Sequence, residues 1–340
     1  MLTIAQRRIV IAAVLLFTVS AFVLSIPFAA AQDTTPTIEP SKTPTVTATV
    51  QAVAATPTVT QDLGILNPFT QGDLTLLTGN VQRPNGIYWF DEVLYVSCSG
   101  DSTIYEVNAE DGRTISYSAG TRNAHMLYVE PGSDERPVIW SADFGINAVV
   151  RATRANTTTI AGDLNGPWGF LYLDDESFLV TEILGGDLLR VTREGEVTSL
   201  LTGLANPTGI AMEGDFIYVA NNGSTRRAIE WYPRTIVNDE GMDAADAGGG
   251  TILSGVQNVT GLALHDGMLY FAYALGTRGV VGRVNPLECM ANGGCTNSDV
   301  EVVLFTELAA PLAGLTIAPN GRLYVHTMFA PDIYWVQLGD

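Results

Sequence analysis

The amino-acid sequence predicts an all-β fold, a six-bladed β-propeller with four-stranded blades and a ring closed by an N-terminal strand. One observation is a phrase that recurs six times: a Pro/Asn-x-Gly-type turn, a short apolar run, a tight turn and a second apolar run. It reads RPNGIYWFDEVLYVSC, TRNAHMLYVEPGSDERPVIWSA, NGPWGFLYLDDESFLVTE, ANPTGIAMEGDFIYVANN, QNVTGLALHDGMLYFAYA and AAPLAGLTIAPNGRLYVHT. Aligned on Gly86, Ala124, Gly169, Gly209, Gly261 and Gly314, the copies stand 38, 45, 40, 52 and 53 residues apart. Segments of strand length at this period signify propeller blades rather than helical solenoids. The other observation is that a third and a fourth strand follow each pair, as in STIYEVNA with RTISYSAG and in GDLLRVTR with EVTSLLTGL.

The last copy stops at its third strand, DIYWVQLGD, whereas GDLTLLTGN over residues 72–80 resembles the fourth strands and precedes the first copy. That segment is expected to complete the last blade, because closure removes the exposed sheet edge.

Arg7 and Arg8 precede an apolar run that closes on Phe28-Ala29-Ala30-Ala31, which predicts a secretory leader over 1–31. An uncleaved membrane anchor is the alternative, since the run approaches spanning length. Residues 32–62 are Thr-, Pro-, Ala- and Val-rich and cannot bury enough surface to offset their ordering entropy. They are expected to form a disordered stalk, leaving 63–340 for the propeller. The expected location is secreted or extracytoplasmic, tethered at the cell surface if the anchor is retained, and a membrane is a partner only in that case.

The chain carries a net charge of -19, and loss of Arg7 and Arg8 with the leader takes it to -21. Such a chain would repel a phosphate backbone, so no nucleic-acid partner is expected. The single lysine is Lys42, in the stalk, so no lysine chemistry is available to the propeller. Cys289 and Cys295 lie in the Gly-rich stretch ECMANGGCTN and are expected to form a local disulfide. Cys98 ends an apolar strand and reads as a small buried side chain. No G-x-S-x-G elbow, H-E-x-x-H helix or phosphate-binding Gly loop stands in its confirming context.

Because strand direction reverses at every turn, the turns leading into the first strands share one face with those joining second and third strands. We call this the mouth face. It gathers Asn85, Asn123, Trp168, Thr208, Thr260 and Ala313, together with the second-strand ends Cys98, Asp143, Glu182, Asn221, Asn222, Tyr273 and His326. Convergence of six blades makes the channel mouth the default ligand site. Trp168, Asp143, Asn221, Tyr273 and His326 are the candidate ligand-binding residues. The amides, hydroxyls and two carboxylates here suit Ca²⁺ or Mg²⁺ better than Zn²⁺, although Asn in such a turn also caps its own backbone. The alignment puts His125 at the apolar position held elsewhere by Ile87, Phe170, Ile210, Leu262 and Leu315, where a buried structural imidazole and a catalytic one both fit. The insertions over 233–250 and 286–298 lie on the opposite face and offer an interaction surface.

These repeats resemble the six-bladed calcium-dependent propellers: the senescence-marker/gluconolactonase, virginiamycin B lyase and NHL-repeat relatives. The gluconolactonase-like resemblance implies one metal held by the residues just before the turn glycines. Asn85 and Asn123 match its Asn ligands, while Trp168, Thr208, Thr260 and Ala313 provide none of its acids. The lyase resemblance rests on FLVTEILGGDLLRV and implies that Glu182 is a metal-binding or catalytic acid, with His125 and His326 as histidine candidates. Three functions follow as expectations. One is a monomeric binding domain for a small molecule or cell-envelope component. The others are a metal-dependent hydrolase or lyase, with Glu182 and His125 catalytic and Asn85, Asn123 and Glu182 on the metal, and a protein-interaction scaffold.

Overall fold

A computed structural model describes residues 67–339 apart from 134–135 and 224–227. The expected leader and stalk lie outside the described residues. The chain forms six antiparallel sheets, one per repeat, whose innermost strands touch in cyclic order. Those strands are Pro84–Phe90, Ala124–Pro131, Pro167–Asp174, Pro207–Glu213, Gln257–His265 and Gly314–Ile317 in blades 1 to 6. No single core exists. Six apolar layers each fill the space between two neighbouring blades, such as Tyr95, Ile104, Leu127 and Ile139 between blades 1 and 2.

Close approach at the axis explains the turn glycines of blades 1, 3 and 4. A Cβ on Gly169 would stand 2.3 Å from the Thr208 carbonyl oxygen, and one on Gly86 would stand 2.9 Å from that of His125. Blade-to-blade bonds run through the same place. The Gly86 N–H donates to Ser97 Oγ (3.1 Å), which donates to the Ala124 carbonyl (2.6 Å), and Thr181 links Gly169 to Thr208 in the same manner.

The N-terminal strand closes the ring as expected, over Thr75–Thr78, antiparallel to Ile333–Gln337 of blade 6. Blades 3, 4 and 5 gain a short fifth strand that runs parallel to the outermost one. Met242–Asp243 from the blade 4 insertion pairs with blade 3, and Cys295–Thr296 from the blade 5 insertion pairs with blade 4. Phe69–Thr70 does the same for blade 5. The insertions thus cover sheet edges that would otherwise present unpaired backbone groups. The second insertion also forms helix α1, Pro286–Ala291, because Asn285 accepts from the Leu287 and Glu288 N–H groups and Pro286 takes the first helical position. Cys289 on α1 is bonded to Cys295, as the spacing predicted.

Asn67, the first described residue, and Gly339, the last, line one cavity with His265 from a first-to-second-strand turn, so both lie on the face opposite the mouth. No helix among the described residues is long and apolar enough to cross a membrane.

Candidate functional site at the channel mouth

The residues at the mouth are selected by a register shift repeated in the innermost strands. Pro84 pairs with Cys98 but Ile87 with Val96; Pro167 pairs with Glu182 but Phe170 with Val180; Pro207 pairs with Asn221 but Ile210 with Val219. The innermost strands of blades 1, 3 and 4 therefore each carry a bulge of one residue, which re-aims the side chain beside it. In blade 2 the same shift falls between Ala124, opposite Asp143, and Leu127, opposite Ser141.

This register moves His125 by two places from its expected position. It stands with Asn85, Trp168 and Thr208 at the mouth, while Leu127 joins Ile87, Phe170, Ile210, Leu262 and Leu315 around an apolar channel cavity of about 310 Å³. The repeat could not show this, because the blade 2 phrase has Met126 where the five other blades have the turn glycine.

His125 is buried and stacks face to face on Trp168, with ring centres 3.5 Å apart and planes inclined by 7°. Phe144, which the sequence reading did not single out, stands edge-on to both rings at 6.2 Å. The indole N–H of Trp168 donates to the Thr260 carbonyl at 3.3 Å, so this side chain ties blade 3 to blade 5 across the mouth. On the other flank the Asn85 amide donates to Asn123 Oδ1, joining blades 1 and 2. His326 is buried at the end of the second strand of blade 6, paired with Gly314 as Ser97 is with Gly86.

Polar groups on the blade 4 and 5 side of the mouth are satisfied within the protein. Thr208 donates to the Val259 carbonyl (2.6 Å), Thr260 to that of Leu312 (2.7 Å), and the Asn222 amide bonds to Thr208 and Val259. The blade 6, 1 and 2 side differs. Among the described residues neither ring nitrogen of His125 makes a hydrogen bond, and His326 meets only the backbone of Thr327 and Pro84, outside ordinary hydrogen-bond geometry. Burial drives both imidazoles towards neutrality: the pKa of His125 falls from 6.5 to about 3, with a further contribution from His326. That of His326 falls to about 4, even though the backbone of Thr327 and Pro84 opposes the shift.

These shifts predict a pH dependence. The unfolded chain binds more protons than the native one below the ordinary histidine pKa, so stability is full near neutrality and declines as pH falls from 6.5 towards 4. Each histidine is expected to contribute a slope of about 1 kcal/mol per pH unit in that window. Denaturant midpoints measured from pH 7 to 4.5 should fall for the native chain and flatten for a His125→Phe/His326→Leu variant.

The carboxylates occupy a repeated structural place. Asp143 accepts from the backbone N–H groups of Arg122 (2.6 Å), Asn123 (2.9 Å) and Gly145 (2.9 Å). Glu182 accepts from Asn165 N–H (2.6 Å), and Asn221 from Ala205 N–H (2.6 Å) while donating to Glu230. At equivalent positions of blades 2, 3 and 4, each fastens the second strand to the turn leading into its own blade. Burial also raises the pKa of Glu182 despite the Asn165 bond. Of the expected metal ligands the structure thus joins Asn85 to Asn123 and engages Glu182 with its own blade. Among the described residues no cluster of three or more His, Cys, Asp or Glu side chains is placed to hold a metal. Tyr273 is buried against Phe271, and Cys98 is a buried thiol whose pKa is pushed up to about 12, which removes it as a nucleophile.

A closed ring of six blades of four to five strands with a walled axial cavity defines a six-bladed β-propeller. Solved structures with the same fold include a gluconolactonase from Xanthomonas campestris, at 16% identity and TM-score 0.60, covering 78% of this chain and 89% of that one. A putative gluconolactonase matches at 15% identity and TM-score 0.59, over 80% and 94% of the two chains. A virginiamycin B lyase from Staphylococcus aureus matches at 16% identity and TM-score 0.52, over 78% and 99%. No family model and no curated protein matches the chain. The likeness therefore lies in the fold.

Proposed function

We propose that this chain is an exported ligand-binding propeller whose site is the channel mouth formed by Asn85, Asn123, His125, Trp168 and His326. The observation that carries this reading is the buried His125 imidazole, which has no hydrogen-bond partner among the described residues, with His326 near it meeting only the backbone of Thr327 and Pro84, beside the Asn85–Asn123 amides and behind the Trp168 ring. Buried polar groups are ordinarily satisfied, and orphaned ones are costly unless a ligand engages them. A neutral imidazole offers one donor and one acceptor, so the two rings and the amides can read a polar group while the indole supplies a flat apolar platform.

Replacing both imidazoles by apolar groups tests this directly. In His125→Phe/His326→Leu the melting temperature at pH 7.5 should hold or rise, because an orphaned polar group replaced by an apolar one is near neutral in cost. The thermal shift given by hits from a library of neutral saccharides, lactones and short peptides should vanish. A melting temperature lowered by more than about 5 °C, corresponding to roughly 1–2 kcal/mol, would mean that the imidazoles serve the fold, and would sink the reading.

A second reading, a metal-dependent hydrolase or lyase, is supported by the fold of the gluconolactonase and virginiamycin B lyase structures and by the paired Asn85 and Asn123 amides. Ca²⁺ or Mg²⁺ would be held by those amide oxygens and Glu182, and such an ion supplies Lewis acidity towards a substrate carbonyl when bound. His125 is the base candidate in this reading. The Glu182→Gln variant keeps an oxygen for the Asn165 N–H and so preserves the fold. Calorimetric titration should show cation binding to the native chain weakened at least tenfold in the variant, and unchanged affinity would refute this reading.

A further inference from the structure

Access to the axial channel differs at its two ends. At the mouth Asn85, His125, Thr208 and Thr260 are buried, and Trp168 spans the opening from blade 3 to the Thr260 carbonyl of blade 5. Further along the innermost strands Tyr88, Met126, Leu171, Met212, Leu264 and Thr316 line the same cavity and are part-exposed. Their strands run on to the turns into the second strands, which lie on the face opposite the mouth. The channel is therefore covered at the mouth and open at the far end.

The lining is selective in its chemistry. In a chain of net charge -19, no Asp, Glu, Lys or Arg among the described residues lines the cavity. At the closed end the Thr260 hydroxyl donates to the Leu312 carbonyl (2.7 Å) and is spent on the fold. Among the described residues of the lining, His125 alone holds buried polar atoms without a hydrogen-bond partner, and it is only 5% exposed. One face of its ring is covered by Trp168, and Phe144 stands edge-on to it. A buried water is held by about three polar partners, whereas the closed end presents this one unpartnered side chain among apolar walls, and apolar cavities stay dry. The imidazole is therefore left for a ligand that brings its own polar group.

We infer that the axial channel is a blind apolar pocket entered from the face opposite the mouth, and that it takes a compact neutral molecule with one hydrogen-bonding group set against His125. The inference rests on the reading of His125 as a ligand group and names the route to it and the class of molecule it receives. A cavity of about 150 Å³ takes one benzene ring, so about 310 Å³ suits roughly twelve non-hydrogen atoms, the size of a fused bicyclic ring. An ionised group would lose its hydration in this channel and find no counter-charge, which excludes it. A hydroxyl or carbonyl on the same ring meets the donor or acceptor of the imidazole and satisfies a group that the fold leaves orphaned.

Equilibrium dialysis of the purified chain against 2-naphthol, naphthalene and 2-naphthoate tests this. 2-Naphthol should bind, naphthalene about fivefold more weakly for want of the hydrogen bond, and 2-naphthoate roughly tenfold or more weakly because its charge is unpaired. Thr316→Trp and Met212→Trp each narrow the far end at a part-exposed position, and either should reduce 2-naphthol binding with an unchanged melting curve; the second stands if the first fails to fold. His125→Phe should bind 2-naphthol and naphthalene alike, and Trp168→Ala should retain 2-naphthol. Failure of 2-naphthol to bind, or 2-naphthoate bound as tightly, overturns the proposal. So does loss of 2-naphthol in Trp168→Ala with full binding in both narrowed variants, which would put the entrance at the mouth. Polar library hits that vanish in His125→Phe/His326→Leu, alongside no 2-naphthol binding, would refute the channel and leave the mouth as the site. Library hits and 2-naphthol both indifferent to the histidine variants would refute both.

Discussion

A chain lacking residues 67–80 is expected to lose about 10 °C or more in melting temperature and to aggregate on concentration. Without Thr75–Thr78, the strand Ile333–Gln337 becomes an open edge with unpaired backbone groups, the arrangement that invites edge-to-edge association. The deletion also removes Phe69 and Leu74 from the layer between blades 5 and 6, and Leu77 from the layer between blades 6 and 1. Each is partly buried, and at about 1 kcal/mol or somewhat more apiece the loss reaches roughly 3–5 kcal/mol before any effect of the lost backbone pairing. At about 2–4 °C per kcal/mol for a domain of this size, a shift of about 10 °C follows. Circular dichroism melts with light scattering read the outcome, and a synthetic peptide spanning 67–80 should restore part of the loss. An unchanged melt would show that the ring is held without its closing strand.

Asp143→Ala is expected to be the most damaging single substitution at the mouth. One buried carboxylate satisfies the N–H groups of Arg122, Asn123 and Gly145, and alanine leaves three donors without an acceptor. At about 1–3 kcal/mol for each donor left buried, a destabilisation of roughly 3–6 kcal/mol follows, allowing for partial rehydration. Asp143→Asn keeps one carbonyl oxygen and should fall between the two. The same turn sets the position of His125, so fluorescence of the stacked Trp168 should change with either variant. Denaturant melts returning a loss below about 1 kcal/mol would show that water replaces the carboxylate, removing the clamp from its structural role.

Whether Asp143 and Glu182 are ligands or clamps was not legible in the sequence. A carboxylate at the end of a second strand looks the same in either case. What distinguishes them is the neighbour that folding delivers, and here the neighbours are backbone N–H groups two or three residues ahead of the mouth position of the same blade. Asn221 repeats the arrangement in blade 4 with an amide oxygen, which identifies it as a device of the fold.

His125 teaches a related lesson. Aligning Asn123 with Asn85 was natural because both precede a small residue, yet the bulge opposite Asp143 aligns His125 with Asn85 instead. A one-residue bulge is invisible in a single strand, since it exists only as a count against the partner strand. The stack of His125 on Trp168 and the approach of His326 to the same side were equally out of reach, because they join side chains from blades 2, 3 and 6.

The sequence by itself determined the fold class, the number of blades, the closing strand and the pairing of Cys289 with Cys295. Each of these is written in local signals: alternating apolar residues, turn residues at a repeating interval and a short cysteine spacing. Only the tertiary structure decided which polar side chains are spent on the fold and which stand unpartnered at the mouth. That division depends on strand register and on contacts between residues far apart in the chain, such as Trp168 with the Thr260 carbonyl 92 positions on, which no local pattern encodes.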